Sequence, residues 1–154
     1  MENPHYHLLF NHLPILIPFV GLLIMLGNLY FKSIPVQRTA FLIFVLGGVT
    51  TFMAHESGEG AEHALKNDAS ISHDRIEKHE EAAEPFTICT NILGLLALVA
   101  LWASLKQKSF TNYLAYGTIV LASLSFYFSY QTGLTGGEIR HPEIRNELPT
   151  GQNE

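Results

Sequence analysis

The sequence predicts an all-α integral membrane protein in which four transmembrane helices form a bundle. Three observations support this fold class. Only 15% of the 154 residues are charged, against roughly 25% in ordinary soluble domains. The charged residues leave four long stretches without Asp, Glu, Lys or Arg, and a membrane-spanning helix needs roughly 20 predominantly apolar residues. Short basic segments connect the first stretch to the second and the third to the fourth, so these pairs are predicted to be antiparallel neighbours.

The four spans are predicted from the charge-free stretches in chain order. Leu13–Phe31 and Pro85–Leu105 are each long enough to cross a bilayer, and the stretch 109–137 is longer still. The second stretch, residues 39–54, is shorter and reaches the required length only if its helix continues through His55. The predicted spans are residues 10–31, 38–57, 85–105 and 110–135.

Proline and glycine residues predict irregularities in the last two helices. Pro85 has no backbone N–H and is expected to kink or restart the third helix. The segment Gly133–Gly137 contains three glycines, which predict a break at the end of the fourth helix. Residues 1–142 are therefore expected to form the four-helix domain, and residues 143–154 a flexible C-terminal tail.

The basic residues of the two short loops set the predicted orientation. Lys32 and Arg38 flank the first of these loops. Lys106 and Lys108 belong to the second, and neither loop contains an acidic residue. Both loops should face the cytoplasm by the positive-inside rule. The two termini and the long polar segment 55–84 are then predicted to lie outside.

This topology places all fourteen acidic residues and all eight histidines on the outer side. Five basic residues share that side and give it a net charge of −9, whereas the four basic residues of the loops give the inner side +4. The overall charge of −5 argues against a nucleic-acid partner. The single cysteine, Cys89, excludes a disulfide framework and any multi-cysteine metal site. Because the histidines and acids lie on the outer side, a function is expected there.

The polar segment 55–84 is predicted to form a hairpin of two helical halves that extend the second and third spans. Histidine and glutamate side chains recur at helical spacing in both halves, so each set shares one helix face. The first set is His55, Glu59, Glu62 and His63, and the second is His73, Glu77, Glu80 and Glu84.

Histidines near the outer ends of all four helices predict a His-ligated redox or metal site. Imidazole is an axial ligand of haem iron, and helix bundles build cofactor sites from side chains on facing helices. Haem b is the first prediction, with His12 and His79 as the axial pair. His55 is the substitute ligand, and His141 is a further candidate. Counting residues places His79 about 8–10 Å farther out than His12 unless the chain folds back at Pro85.

Two alternatives stay open at this point. The first is a non-haem Zn, Cu or Fe site, since imidazole and carboxylate groups bind such ions. Its candidate ligands are His55, Glu59, His63, His79, Glu80 and Glu84. The named metal-binding motifs are absent. The second is a cofactor-free structural subunit that docks a basic partner, with the polar residues otherwise serving solvation. No arrangement of nucleophile and general base indicates an enzyme.

His12-Leu-Pro-Ile opens the first span, His79 precedes the third, and Gly136-Gly137-Glu138-Ile139 closes the fourth. Over most of residues 8–142 the chain resembles a family of bacterial four-helix membrane proteins of unknown function, which open with His-Phe-Pro-Ile and close with Gly-Gly-Glu-Leu and a histidine. The resemblance makes His12, His79 and His141 the family positions. It implies a location in the bacterial inner membrane, in contact with the lipid bilayer. Because some members are fused to Rieske or c-type cytochrome domains, it also implies an electron-transfer or accessory role in a respiratory complex with cytochrome partners.

Overall fold

The computed structural model describes residues 12–65 and 73–140, with side chains described for 12–58 and 73–138. These residues form four α-helices, and no β-strand occurs among them. The helices are α1 (Leu13–Phe31), α2 (Ile34–Leu65), α3 (His73–Leu105) and α4 (Thr111–Arg140). The predicted all-α four-helix bundle is confirmed.

Each helix packs against the one that follows it in the chain, and α1 also contacts α4 to close the bundle. The α1–α4 contact is the loosest of these four interfaces. Helices α1 and α3 therefore lie diagonally across the bundle. We call the end formed by residues 12–15, 73–84 and 129–138 the outer end, and the opposite end the inner end, following the predicted orientation.

Three of the four helices are long and apolar enough to cross a membrane, namely α1, residues 34–58 of α2, and α3. Helix α4 contains no charged residue before Glu138. It is not among these three, since serine, threonine, tyrosine and glycine residues interrupt its apolar ones. The chain is thus a membrane protein by its helices, and a fourth span in α4 stays a prediction.

Small residues lie at the helix interfaces and large apolar residues cover the outside, as in other membrane bundles. The backbones of α2 and α3 touch where an ideal Cβ added to Gly48 would lie 3.2 Å from the Gly94 Cα. Between α1 and α2, a Cβ on Gly21 would lie 2.8 Å from the ring of Phe44. Large side chains such as Leu95 are more than half exposed, which suits a surface that faces lipid tails.

The helix bounds differ from the prediction in two places, the start of α2 and the end of α4, and match it in a third. Helix α2 begins at Ile34 rather than near residue 38, because Pro35 in the first helical turn removes no intrahelical hydrogen bond. Helices α2 and α3 both extend past their apolar segments, as the predicted hairpin requires. The expected break at Gly133–Gly137 is absent: α4 continues to Arg140, and none of the glycines that the structure describes has a positive φ. Glycine weakens a helix by only about 1 kcal/mol, so packing against α3 can outweigh that cost.

Pro85 lies inside α3 without ending it. Its missing N–H removes the helix partner of the Glu81 carbonyl and loosens that turn. The hydroxyl of Thr132 on α4 lies 2.9 Å from the next carbonyl, that of Ala82, and 3.1 Å from the Phe128 carbonyl of its own helix, so these two acceptors share its one proton. A neighbouring hydroxyl is one way in which membrane helices tolerate an internal proline. The Thr132 contact therefore joins α3 to α4 at the point where α3 is weakest.

We expect Thr132→Val to lower the free energy of unfolding by about 1 kcal/mol, since it keeps the shape and removes the hydrogen bond. Unfolding in detergent, followed by circular dichroism, measures the effect. The matched control is Ser123→Ala, because that exposed hydroxyl bonds only the Ile119 carbonyl of its own helix and its loss should be nearly neutral. Equal stability of Thr132→Val and the wild type would contradict this role.

The inner end is joined by a side chain from α2. The guanidinium of Arg38 donates to the Ser104 hydroxyl over 3.0 Å and to the Ser104 carbonyl over 2.8 Å. Ser104 lies in the last turn of α3, where helix carbonyls lack intrahelical partners. At the end of α1, the Asn28 side chain accepts a hydrogen bond from the Ser33 N–H over 2.9 Å. Side chains thus satisfy backbone groups where the helices turn back.

Candidate functional site at the outer end of α3 and α4

His79 lies between α3 and α4 and is half-buried. Its Nδ1 is 3.1 Å from the Thr135 hydroxyl oxygen on α4. The ring also lies against the backbone of α4: a Cβ added to Gly136 would be 3.0 Å from the His79 Cε1. Any larger residue at position 136 would push the imidazole away, so glycine permits this contact.

At the outer end, the His79 contact is the middle one of three polar contacts between α3 and α4 that are spaced about one helical turn apart. Thr132 with Ala82 lies on its inner side. On its outer side, the Arg75 guanidinium is 3.4 Å from the Glu138 carboxylate. Arg75 is the more buried partner, with its side chain 18% exposed against 41% for Glu138. This row of contacts fixes the register of α3 against α4 and holds His79 in place.

A second ion pair lies on the exposed face of α3, outside the apolar segment. The Lys78 ammonium is 2.7 Å from the Asp74 carboxylate, one helical turn away. The hydrogen bond to Asp74, and then its charge, raise the pKa of Lys78 above its ordinary value. Both side chains are more than 60% exposed, so this pair contributes little to stability.

His12 immediately precedes α1 and is exposed. Its carbonyl begins the helix by accepting a hydrogen bond from the Leu16 N–H over 3.0 Å. Ile15 of α1 lines a groove together with Gly133 of α4. His12 lies three residues before Ile15, which places it about 4.5 Å farther out along the axis of α1 at 1.5 Å per residue. The expected difference in height between His12 and His79, about 8–10 Å, stays a prediction. The two histidines lie on diagonal helices.

The remaining candidates are distributed around the outer end. His55 is exposed on α2, and Glu80 and Glu84 are exposed on α3. The side chains of Glu59 and His63, and the whole of His141, lie outside the described residues. Within 12–58 and 73–138, no three His, Cys, Asp or Glu side chains come together closely enough to hold a metal ion. The described part of the chain thus brings one candidate ligand, His79, into an interface.

An open groove runs along the outer half of the α1–α4 interface. Its volume is about 280 Å³, and it is lined by Ile15, Phe126, Ser129, Tyr130, Gly133 and Leu134. Farther in, Phe19 of α1 stacks on Phe126 of α4 with ring centroids 5.0 Å apart. This volume lies just below the range for ligand pockets, which is roughly 300–1,000 Å³. His79 does not line it.

Sequence reasoning singled out His79 but missed the α4 residues that hold it. Thr135 and Gly136 lie in a segment that was predicted to break the helix. The threonine-x-x-threonine spacing of Thr132 and Thr135 places both hydroxyls on one face of α4, and that was the available signal. It could not indicate His79 as the partner, since the register between two helices is not contained in either helix alone.

Comparisons of the chain with protein-family models, with curated proteins and with solved structures find no match. The family resemblance seen in the short motifs therefore stays a prediction. The geometry of the outer end is the basis for a functional proposal.

Proposed function

We propose that the protein is a membrane-embedded electron-transfer or accessory subunit that holds a His-ligated redox or metal centre at its outer end, with His79 as the central ligand. The observation that carries the proposal is the fixed position of His79, whose Nδ1 lies 3.1 Å from the Thr135 hydroxyl and whose ring lies on Gly136. Ligating histidines commonly have one ring nitrogen held by a hydrogen bond while the other binds the metal.

Haem b is the form of the centre that we put first. His12 supplies the second histidine, immediately before α1, the helix diagonal to α3. Haem iron takes axial histidine ligands from facing helices. The ring of His79 lies close to α4, so a haem at this position requires α4 to move locally. The alternative is a non-haem metal ion held by His79 together with ligands from the set His55, Glu59, His63, Glu80 and Glu84.

The experiment is an absorption spectrum and metal analysis of the full chain, purified in detergent after expression with haem and trace metals supplied. We expect a Soret band, or one stoichiometric transition metal, in the wild type. His79→Ala should lose at least about tenfold in affinity, as metal sites do when their ligand geometry is disturbed. His73→Ala is the matched control, since His73 is exposed at the start of the same helix. Absence of haem and metal from the wild type, or unchanged binding in His79→Ala, would contradict the proposal.

A second candidate function is docking of a basic partner without a cofactor. What favours it is the row of exposed acidic residues on the outer half of α3, which comprises Asp74, Glu77, Glu80, Glu81 and Glu84. A basic cytochrome domain is the kind of partner that such a surface would steer through complementary charge. Co-purification that is lost at high salt and retained in His79→Ala would support docking over ligation.

A further inference from the structure

The face of α4 that points away from its own bundle carries a regular pattern of side chains. Exposed residues recur there at alternating steps of three and four positions, which is the a and d spacing of a heptad. They are Tyr113, Tyr116, Val120, Ser123, Tyr127 and Tyr130. The five large ones are between 57% and 78% exposed. A stripe with this repeat is typical of a helix that packs along its length against another helix. We call these six residues the α4 seam.

The α4 seam extends through the depth of the bilayer core. Helix α4 packs along α3, which is long and apolar enough to cross the membrane. A Cβ added to Gly117 would lie 3.2 Å from the Cδ2 of Leu96, near the middle of the apolar stretch of α3. Tyr116 is therefore close to the middle of the membrane, and Ser123 lies about 10 Å farther out. Both positions fall within the hydrocarbon core, which extends roughly 15 Å to either side of its middle.

Tyrosine and serine at this depth are unusual for a surface that meets lipid tails. Tyrosine is enriched at the membrane interfaces, whereas small and polar residues within a span are enriched where helices meet. On α3 the exposed residues at the same depth are apolar, as Leu95 and Leu98 are. The Ser123 hydroxyl donates to the Ile119 carbonyl of its own helix, so what Ser123 offers a neighbour is its small size. The α4 seam thus suits contact with a helix better than contact with lipid.

We infer that the α4 seam packs against the α4 seam of a second copy of the chain, in a dimer with a twofold axis along the membrane normal. All copies insert in one orientation, because the basic loops set it, so the two α4 helices run parallel. A twofold axis brings the same patch of both copies together, and a parallel heptad seam is complementary to itself. Helix α4 has no charged residue before Glu138, so no like charges oppose each other along the seam.

The side chains of the α4 seam and the groove beside it fit this arrangement. Ser123 lets the two backbones approach, and Tyr116 and Tyr130, one heptad away on either side, supply large side chains that pack above and below that point. The open groove between α1 and α4 borders the seam, because Tyr130 belongs to both. A side chain of the second copy can enter this groove. The dimer leaves the α3–α4 interface around His79 untouched, so it does not rest on the proposed function.

The test is disulfide cross-linking of the full chain in the membranes of the cells that express it. Cys89 is the one cysteine and is buried, and it is replaced by alanine. The variants Val120→Cys, Ser123→Cys and Tyr127→Cys should each give a linked product of twice the chain mass of 17.2 kDa. The matched control is Leu95→Cys on α3, since Leu95 is 66% exposed, as Val120 is, and it should stay unlinked. Absence of the product from the seam variants, or equal amounts from Leu95→Cys, would overturn the inference. So would linkage of the seam cysteines to a different protein, which gives a product of another mass.

The mass of the purified protein in mild detergent gives a second, independent measurement. Ser123→Trp places a bulky side chain where the two backbones approach and outside its own bundle, so the variant should fold with the helix content of the wild type. We expect the wild type and Ser123→Ala to be dimers, and Ser123→Trp to have half their mass. A wild type that is monomeric, or a Ser123→Trp protein that stays dimeric, would contradict the α4 interface.

Discussion

Gly94→Val is expected to lower the free energy of unfolding by about 3 kcal/mol, the upper part of the range for overpacked interiors. A Cβ on Gly94 would lie 3.1 Å from the Cα of Gly48 and 3.6 Å from the Phe44 carbonyl oxygen. All of these atoms belong to the α2 backbone, so no side chain can rotate away to make room. The helices would have to separate, and every contact along the α2–α3 interface would weaken.

Gly133→Ala is the matched control, because a Cβ there meets nothing within 4 Å. Alanine is the better helix former by about 1 kcal/mol, so this variant should be as stable as the wild type or slightly more so. Unfolding of the purified protein by SDS, followed by circular dichroism, measures both variants. Gly48→Val should resemble Gly94→Val, and the double variant should cost less than the two single costs added together, since both act at one contact. A Gly94→Val protein of wild-type stability would contradict the close approach of α2 and α3.

Arg38→Ala is expected to cost about 2 kcal/mol, which is typical of hydrogen bonds that involve a charged group. The Arg38 guanidinium contacts both the hydroxyl and the carbonyl of Ser104, and Ser104 is only 5% exposed. The same carbonyl accepts the Gln107 N–H over 3.2 Å. Removing the guanidinium leaves the buried hydroxyl without this donor and takes a positive charge away from the C-terminal end of α3, where it is favourable.

The neighbouring residue Gln37 provides the control for Arg38. Its amide contacts Asn112 at 3.4 Å on an exposed surface, so Gln37→Ala should change stability by less than about 0.5 kcal/mol. Arg38→Lys keeps the charge but cannot make both contacts from one planar group, and we expect an intermediate loss. The same SDS unfolding experiment applies. Equal stabilities for Arg38→Ala and Gln37→Ala would show that the contact between α2 and α3 at the inner end is dispensable.

Much of the fold could be predicted because membrane helices must be continuously apolar. The charge-free stretches located all four helices, and the basic residues of the short loops marked two of the turns. The histidines and acids at helical spacing from His55 and from His73 indicated that α2 and α3 extend beyond their apolar segments, which both helices do. Each of these features depends only on the local sequence of one helix.

The predicted break at Gly133–Gly137 was the main error in the predicted fold. The contacts that prevent the break are the same ones that hold His79. Glycine has a low helix propensity in isolation, but here Gly136 receives the ring of His79 and Thr135 bonds the same side chain. Contacts with α3 hold the segment helical through its glycines. A propensity-based prediction fails where a neighbouring helix supplies the stabilising contacts.

Local apolarity and charge were enough to predict a four-helix membrane bundle with its acids and histidines towards one end. The position of His79, which alone among the described histidines lies in a helix interface, against Thr135 and Gly136, became visible only in the packed structure. The register between packed helices depends on which small residues let two backbones touch, as Gly48 and Gly94 do. That depends on the matching of two surfaces, which neither helix encodes alone.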